Sequence, residues 1–183
     1  QIITESRMLY NPELKGVYMF VPGTMAMILV LISALLTSVS IVREKEMGTM
    51  EILLVSPLKP IQIIFGKVAP YIALSFINVI TILLLSNYVF GLPVKGSLLL
   101  LLAESLLFII LSLSLGILVS SLTNNQLTAM FASILGLMLP TIILSGFIFP
   151  IENIPGWIQW LCYANPTTYF IIILKNIMLK GLG

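Results

Sequence analysis

Four long apolar runs constrain this chain more than any other feature. They cover about residues 17–42, 61–90, 98–119 and 127–149. At about 1.5 Å of rise per helical residue, each is long enough to cross the roughly 30 Å hydrocarbon core of a bilayer. Inside that core every backbone N–H and C=O must find its partner within the protein, so each run is expected to be a helix. The first carries no charge. The second is interrupted by Lys67 and Pro70, and its span proper is expected to start near Val68 and end before Gly91-Leu92-Pro93. Lys67 would then lay its stem along apolar surface and send its ammonium to the headgroups. The third run contains one acid, Glu104, and the fourth contains Gly136, Pro140 and Gly146. The fold class expected is all-α, a polytopic membrane protein with four transmembrane helices.

Composition closes off the alternatives. The chain is 59% hydrophobic and 9% charged, whereas a soluble domain carries about 25% charged residues. Too few polar side chains are present to cover the apolar ones, so the lipid bilayer has to be the solvent. A net charge of +2 with no Lys/Arg stripe gives nucleic acid nothing to bind. With no His and one cysteine, Cys162, neither a disulfide framework nor a metal site of the usual zinc spacing is expected. Cys162 also lacks a His to activate it as a nucleophile. Gly66-Lys67 runs on into Val68 without the earlier glycine of a phosphate loop. The chain is therefore not expected to be an enzyme, and no catalytic residue is assigned.

The ends read differently from the middle. Residues 1–16 hold Glu5, Arg7, Glu13 and Lys15 with a turn signal at Asn11-Pro12. They read as the end of an extracytoplasmic region whose beginning is absent, and residues 181–183 as a truncated end. Residues 150–166 hold Glu152, Pro155, Gly156, Trp157 and Trp160, and 167–179 form an apolar stretch broken by Lys175. That stretch is shorter than the roughly 17 residues a perpendicular crossing needs. Short interfacial or re-entrant helices are expected, with Trp157, Trp160 and Tyr163 at headgroup depth. Basic residues near span ends set the orientation. The first connection holds Arg43, Lys45, Lys59 and Lys67, the second only Lys95, and the turn at 120–126 none. The first connection and that turn should be cytoplasmic, and 1–16, 91–97 and the Trp-bearing tail extracytoplasmic.

The charged connection, residues 43–60, reads REKEMGTMEILLVSPLKP. A helix over 43–55 would gather Met47, Met50 and Leu54 on one stripe and Glu44, Gly48 and Glu51 on another face. Such a helix can lie flat on a bilayer or dock in a partner's groove. Gly48 lowers helix propensity by about 1 kcal/mol relative to Ala, which points to a bend or a close backbone approach. Periodicity alone favours a solvated loop that obeys the positive-inside bias. Glu104, about two turns into its span, has two readings: part of a translocation path, or an acid near the outer interface that is paired or protonated. Ser112, Ser114, Ser120 and Ser121 fit hydrogen bonding between helices.

Particular motifs carry more information. EKEMGTMEILLVSPL followed by Gly66-Lys67 resembles the cytoplasmic coupling segment of the ABC type-2 permease family, the membrane subunits of ATP-binding-cassette exporters. YNPEL at 10–14, VPG at 21–23, NNQ at 124–126, LSGFIFPIENIP at 144–155 and NPTTYF at 165–170 occur in that family's order. The resemblance implies a six-span plan with an extracytoplasmic insert after the first span. Residues 17–180 would then be a fragment of the permease domain holding spans two to five, and the tail the short helices before the sixth. It also implies that Glu44, Lys45, Glu46, Gly48, Thr49, Glu51, Leu53 and Leu54 lie on a coupling helix seated in a separate cytosolic ATPase subunit. ATP and Mg would be bound there and not on this chain. A second permease subunit, identical or not, and a bacterial or archaeal plasma membrane are implied as well. The function expected is ATP-driven efflux of a hydrophobic or amphipathic substrate. The alternative is a non-transporting membrane anchor that recruits a cytosolic partner through its charged loop.

Overall fold

The structure is a computed structural model that describes residues 16–57, 59–92, 94–148 and 151–181. The polar stretch at 1–15, with its YNPEL motif, lies outside the described residues. Among those described, every regular element is helical. Four helices are long and apolar enough to span a membrane: Phe20–Glu46 (27 residues), Pro60–Tyr88 (29), Leu98–Leu122 (25) and Gln126–Leu144 (19).

Their ends correct several expected boundaries. The first span does not stop at Val42. Its helix carries on through the charged residues to Glu46, with one wide π turn at Leu31–Leu35. The second helix begins at Pro60, about two turns ahead of Val68, where the span proper is expected to start. Proline is favourable in a first helical turn, where its missing N–H would have had no partner anyway. Gln62 reinforces that start by accepting the Lys59 N–H at 2.9 Å. Between the third and fourth spans only residues 123–125 remain outside a helix. Asn125 caps the fourth span by accepting the Leu127 N–H at 2.8 Å. The fourth span closes at Leu144, short of the expected 149.

The first span is the axis of the bundle. Of its most apolar stretch 56% is buried, against 22%, 33% and 17% for the second, third and fourth. Met25, Ala26, Leu29 and Val42 on it are fully enclosed. Against the third span it packs backbone to backbone: a Cβ added at Gly116 would stand 2.5 Å from the Ala34 carbonyl oxygen. Small residues allow such close approach in lipid, where helix association depends on packing and interhelical hydrogen bonds. Hydroxyl pairs fasten the other two neighbours. Ser33 meets Ser75 of the second span at 2.8 Å, and Ser38 meets Ser133 of the fourth at 2.8 Å. The serines singled out from the sequence act otherwise. Ser114, Ser120 and Ser121 bond to carbonyls one turn back on their own helix, and Ser112 is buried without a hydrogen-bond partner among the described residues. Outward faces of the second and third spans carry exposed Ile77, Leu84, Leu99, Leu107 and Leu118, as a lipid boundary requires.

The tail folds into a re-entrant hairpin of two helices, Gly156–Ala164 and Pro166–Lys175, the second extended by a π turn over Asn176–Lys180. Asn165 makes the corner: its Oδ1 accepts the Thr167 N–H at 3.1 Å and its Nδ2 donates to the Pro140 carbonyl at 3.3 Å. Thr167 meets Thr141 at 3.3 Å, and Thr168 donates to the Leu144 carbonyl at 3.3 Å. Phe170 stacks on Phe108 with ring centroids 4.0 Å apart. Phe108 stands about 15 Å along the third span from its start at Leu98, so the hairpin reaches at least that far down the bundle. The hairpin then climbs back out, where the Lys95 and Gly96 N–H groups donate to the Met178 and Ile177 carbonyls at 3.3 and 3.0 Å. Trp157 and Trp160 are exposed. The 91–97 connection and the far end of the hairpin therefore share one end of the bundle, opposite the 43–60 and 123–125 connections.

Candidate functional site: the charged connection between the first two spans

Local conformation decides the shape of this segment. The helix that leaves the membrane ends at Glu46, and a turn through Met47 and Gly48 follows. Gly48 has φ +72°, a left-handed conformation in which any Cβ would crowd the backbone. Beyond it a separate short helix, Thr49–Leu54, sets off on a new axis, with the Thr49 hydroxyl donating to the Glu44 carbonyl at 3.2 Å. The single helix expected over 43–55 is therefore two helices. Met47, Met50 and Leu54 do not make one stripe, nor do Glu44, Gly48 and Glu51 share one face, because the helical phase is broken at the glycine.

The residues before the break turn inward. Glu44 forms an ion pair with Lys67 of the second span, so Lys67 reaches a carboxylate rather than headgroups. Lys45 Nζ donates to the Ser120 carbonyl and, at 3.4 Å, to the Thr123 carbonyl. A cation there complements the unpaired carbonyls and negative dipole end of the third span. Glu46 accepts from the Gln126 side chain at 2.7 Å and from the Gln126 backbone N–H at 3.4 Å, the complementary arrangement at the positive end of the fourth span. Three neighbours on one helix end thus reach three different spans. The sequence offered no sign of this, since each partner lies tens of residues away.

After the break the segment faces outward. Glu51 is exposed, and so are Met47, Ile52 and Val55, at 58%, 68% and 85%. Exposed apolar side chains around an acid, on a short helix at the polar end of the bundle, make a surface suited to a protein groove. The side chains of Leu53 and Leu54 lie outside the described residues.

Elsewhere, Glu104 is half-buried on the third span and has no hydrogen-bond or ion-pair partner among the described residues. A cavity of about 270 Å³ lies between the third and fourth spans and the hairpin, bounded by Phe108, Leu111, Gly136, Leu137, Thr141 and Asn165. Among the described residues no three His, Cys, Asp or Glu side chains come together.

A bundle of long apolar helices bridged at one end by a short, acid-bearing helix defines the class: a multi-pass α-helical membrane protein. The chain belongs to the ABC-2 transporter family, whose model, described as "ABC-2 family transporter protein", matches residues 1–183. It is 36% identical over 180 residues to the probable multidrug ABC transporter permease YbhS of Escherichia coli (strain K12), a match covering 98% of this chain and 48% of that relative. To the probable multidrug permease YbhR of the same strain it is 37% identical over 171 residues, covering 93% and 46%. A more distant relative is ABC transporter G family member 20 of Dictyostelium discoideum, 30% identical over 173 residues, with 94% and 24% covered. The chain spans about half the length of the bacterial relatives it matches. No solved structure matches it significantly.

Proposed function

We propose that this chain is the membrane core of a permease subunit in an ATP-driven exporter, and that the bridging helix Thr49–Leu54 is where a cytosolic ATPase subunit engages it. The observation carrying this reading is the outward patch of Glu51, Ile52 and Val55 beyond the Gly48 hinge, with Met47 exposed just before it. The basic residues Arg43, Lys45 and Lys59 support a cytosolic location for that end of the bundle by the positive-inside bias. ATP and its Mg sit on the ATPase subunit. Closure of the ATPase displaces the bridging helix, and the spans joined to it rearrange. Gly48 lets the helix take its own axis, and the Thr49 hydroxyl ties its start to the first span. Glu51 offers a rim charge that fixes register more than it adds affinity. Leu53 and Leu54 complete the coupling segment by the family resemblance. A second permease subunit completes the pathway in the plasma membrane of a bacterium or archaeon. The cargo is hydrophobic or amphipathic, in keeping with apolar walls such as those of the cavity beside Phe108 and Leu111.

The test uses the full-length subunit co-expressed with its ATPase. Glu51→Lys combined with Ile52→Asp is expected to abolish stimulation of ATP hydrolysis and transport while leaving membrane insertion intact. Stimulation equal to the unaltered protein's would overturn the reading. Reversing Glu44 or Glu46 is a poorer probe, since both have partners within the bundle.

A further inference from the structure

We propose that Glu44, Lys45 and Glu46 form a clasp, a set of positioning residues that holds the ends of the second, third and fourth spans against the end of the first. No one of these contacts is unusual; their convergence is. One turn of one helix supplies a carboxylate to Lys67, an ammonium to the Ser120 and Thr123 carbonyls, and a second carboxylate to Gln126. Each charge has the sign its target requires: an anion for the lysine, a cation for the closing carbonyls of the third span, and an anion for the opening N–H of the fourth. Directly after the clasp comes the left-handed Gly48 and then the bridging helix.

This placement has a mechanical consequence. A displacement of the bridging helix about Gly48 arrives first at Glu46, Lys45 and Glu44, and through them at three spans together. Where the clasp is shut, the side chains beneath it are sealed: Val42 is fully buried, and Val119 and Ser120 are almost so. Where it opens, that end of the bundle becomes accessible to water. Away from the clasp the spans are joined by hydroxyl pairs such as Ser33 with Ser75 and by the Ala34–Gly116 contact, which do not depend on charge. Opening is therefore confined to one end. The inference rests on the proposed function only for the role of this motion in transport; the clasp itself does not.

The experiment measures thiol protection in the detergent-solubilised full-length protein carrying Val119→Cys. A water-soluble thiol reagent reports opening of the clasp end, and the native Cys162, buried in the hairpin one turn from its Asn165 corner, reports the rest of the fold. Lys45→Met is expected to raise labelling at position 119 roughly tenfold or more, the change in a local opening equilibrium on losing the charge-assisted hydrogen bonds to Ser120 and Thr123. Cys162 is expected to stay protected. Lys45→Arg, which keeps the donors, and the exchange Glu44→Lys with Lys67→Glu, which keeps the ion pair, are both expected to retain protection at 119. Unchanged labelling at 119 in Lys45→Met overturns the clasp. So does labelling of Cys162 in parallel with 119, because that means general loosening. Neither arm involves nucleotide or a partner, so a failure here is distinct from a failure of the proposed function.

Discussion

At the scale of single residues, Gly116 and Gly136 make an instructive pair. Both are glycines within spanning helices, where glycine costs about 1 kcal/mol of helix propensity relative to alanine. At Gly116 that cost is offset by the approach to Ala34, whose carbonyl oxygen lies 2.5 Å from where a Cβ would be. At Gly136 a Cβ would have no neighbour within 4 Å. Gly116→Ala should therefore lower the stability of the purified protein by about 1–3 kcal/mol through overpacking, whereas Gly136→Ala should leave it unchanged or raise it by up to about 1 kcal/mol. Thermal unfolding in detergent checks both. Equal effects at the two positions would mean that the first and third spans do not pack as closely as described.

At the scale of elements, the hairpin depends on its corner. Asn165 caps the helix Pro166–Lys175 and also reaches the Pro140 carbonyl, so Asn165→Ala removes two hydrogen bonds, a local loss of about 1–2 kcal/mol. Hydrogen exchange should speed up at the amides of Gly156–Lys175 and not at those of the first span. Uniform acceleration in both would show that the hairpin has no independent stability. The same element shows where sequence reading succeeds and where it stops. Hydropathy over residues 17–149 is a one-dimensional signal, and it located the four spans because the bilayer acts on each run separately. The shortness of 167–179 announced a re-entrant piece for the same reason. Boundaries fared worse, because they depend on partners distant in sequence. The first span continues to Glu46 because Lys67, Ser120 and Gln126 stabilise its last turn, and periodicity over 43–55 contains none of those residues. Gly48 was legible as a break in propensity, but its left-handed turn was not. Of the residues that the resemblance implies for coupling, Gly48, Thr49 and Glu51 lie on or beside the exposed helix Thr49–Leu54. Glu44, Lys45 and Glu46 belong to the bundle.

At the scale of the whole molecule, charge and apolarity are segregated along one axis. The middle is held by serine and threonine pairs and by small-residue contact, and the ionic contacts on Glu44, Lys45 and Glu46 gather at the end bearing the bridging helix. The other end is closed by backbone hydrogen bonds between the hairpin and Gly96. Such an arrangement leaves one end responsive to a push and the other braced. The proposed function makes one direct demand of this arrangement: the outward face of Thr49–Leu54 must meet the ATPase subunit in the cytosol. A bifunctional thiol reagent tests this in membranes that hold the full-length subunit together with its ATPase subunit, each with one engineered cysteine. With Glu51→Cys a covalent adduct of the two proteins is expected, and with Lys95→Cys, on the 91–97 connection at the opposite end, none. No adduct from position 51, or an adduct from position 95, would contradict the assignment.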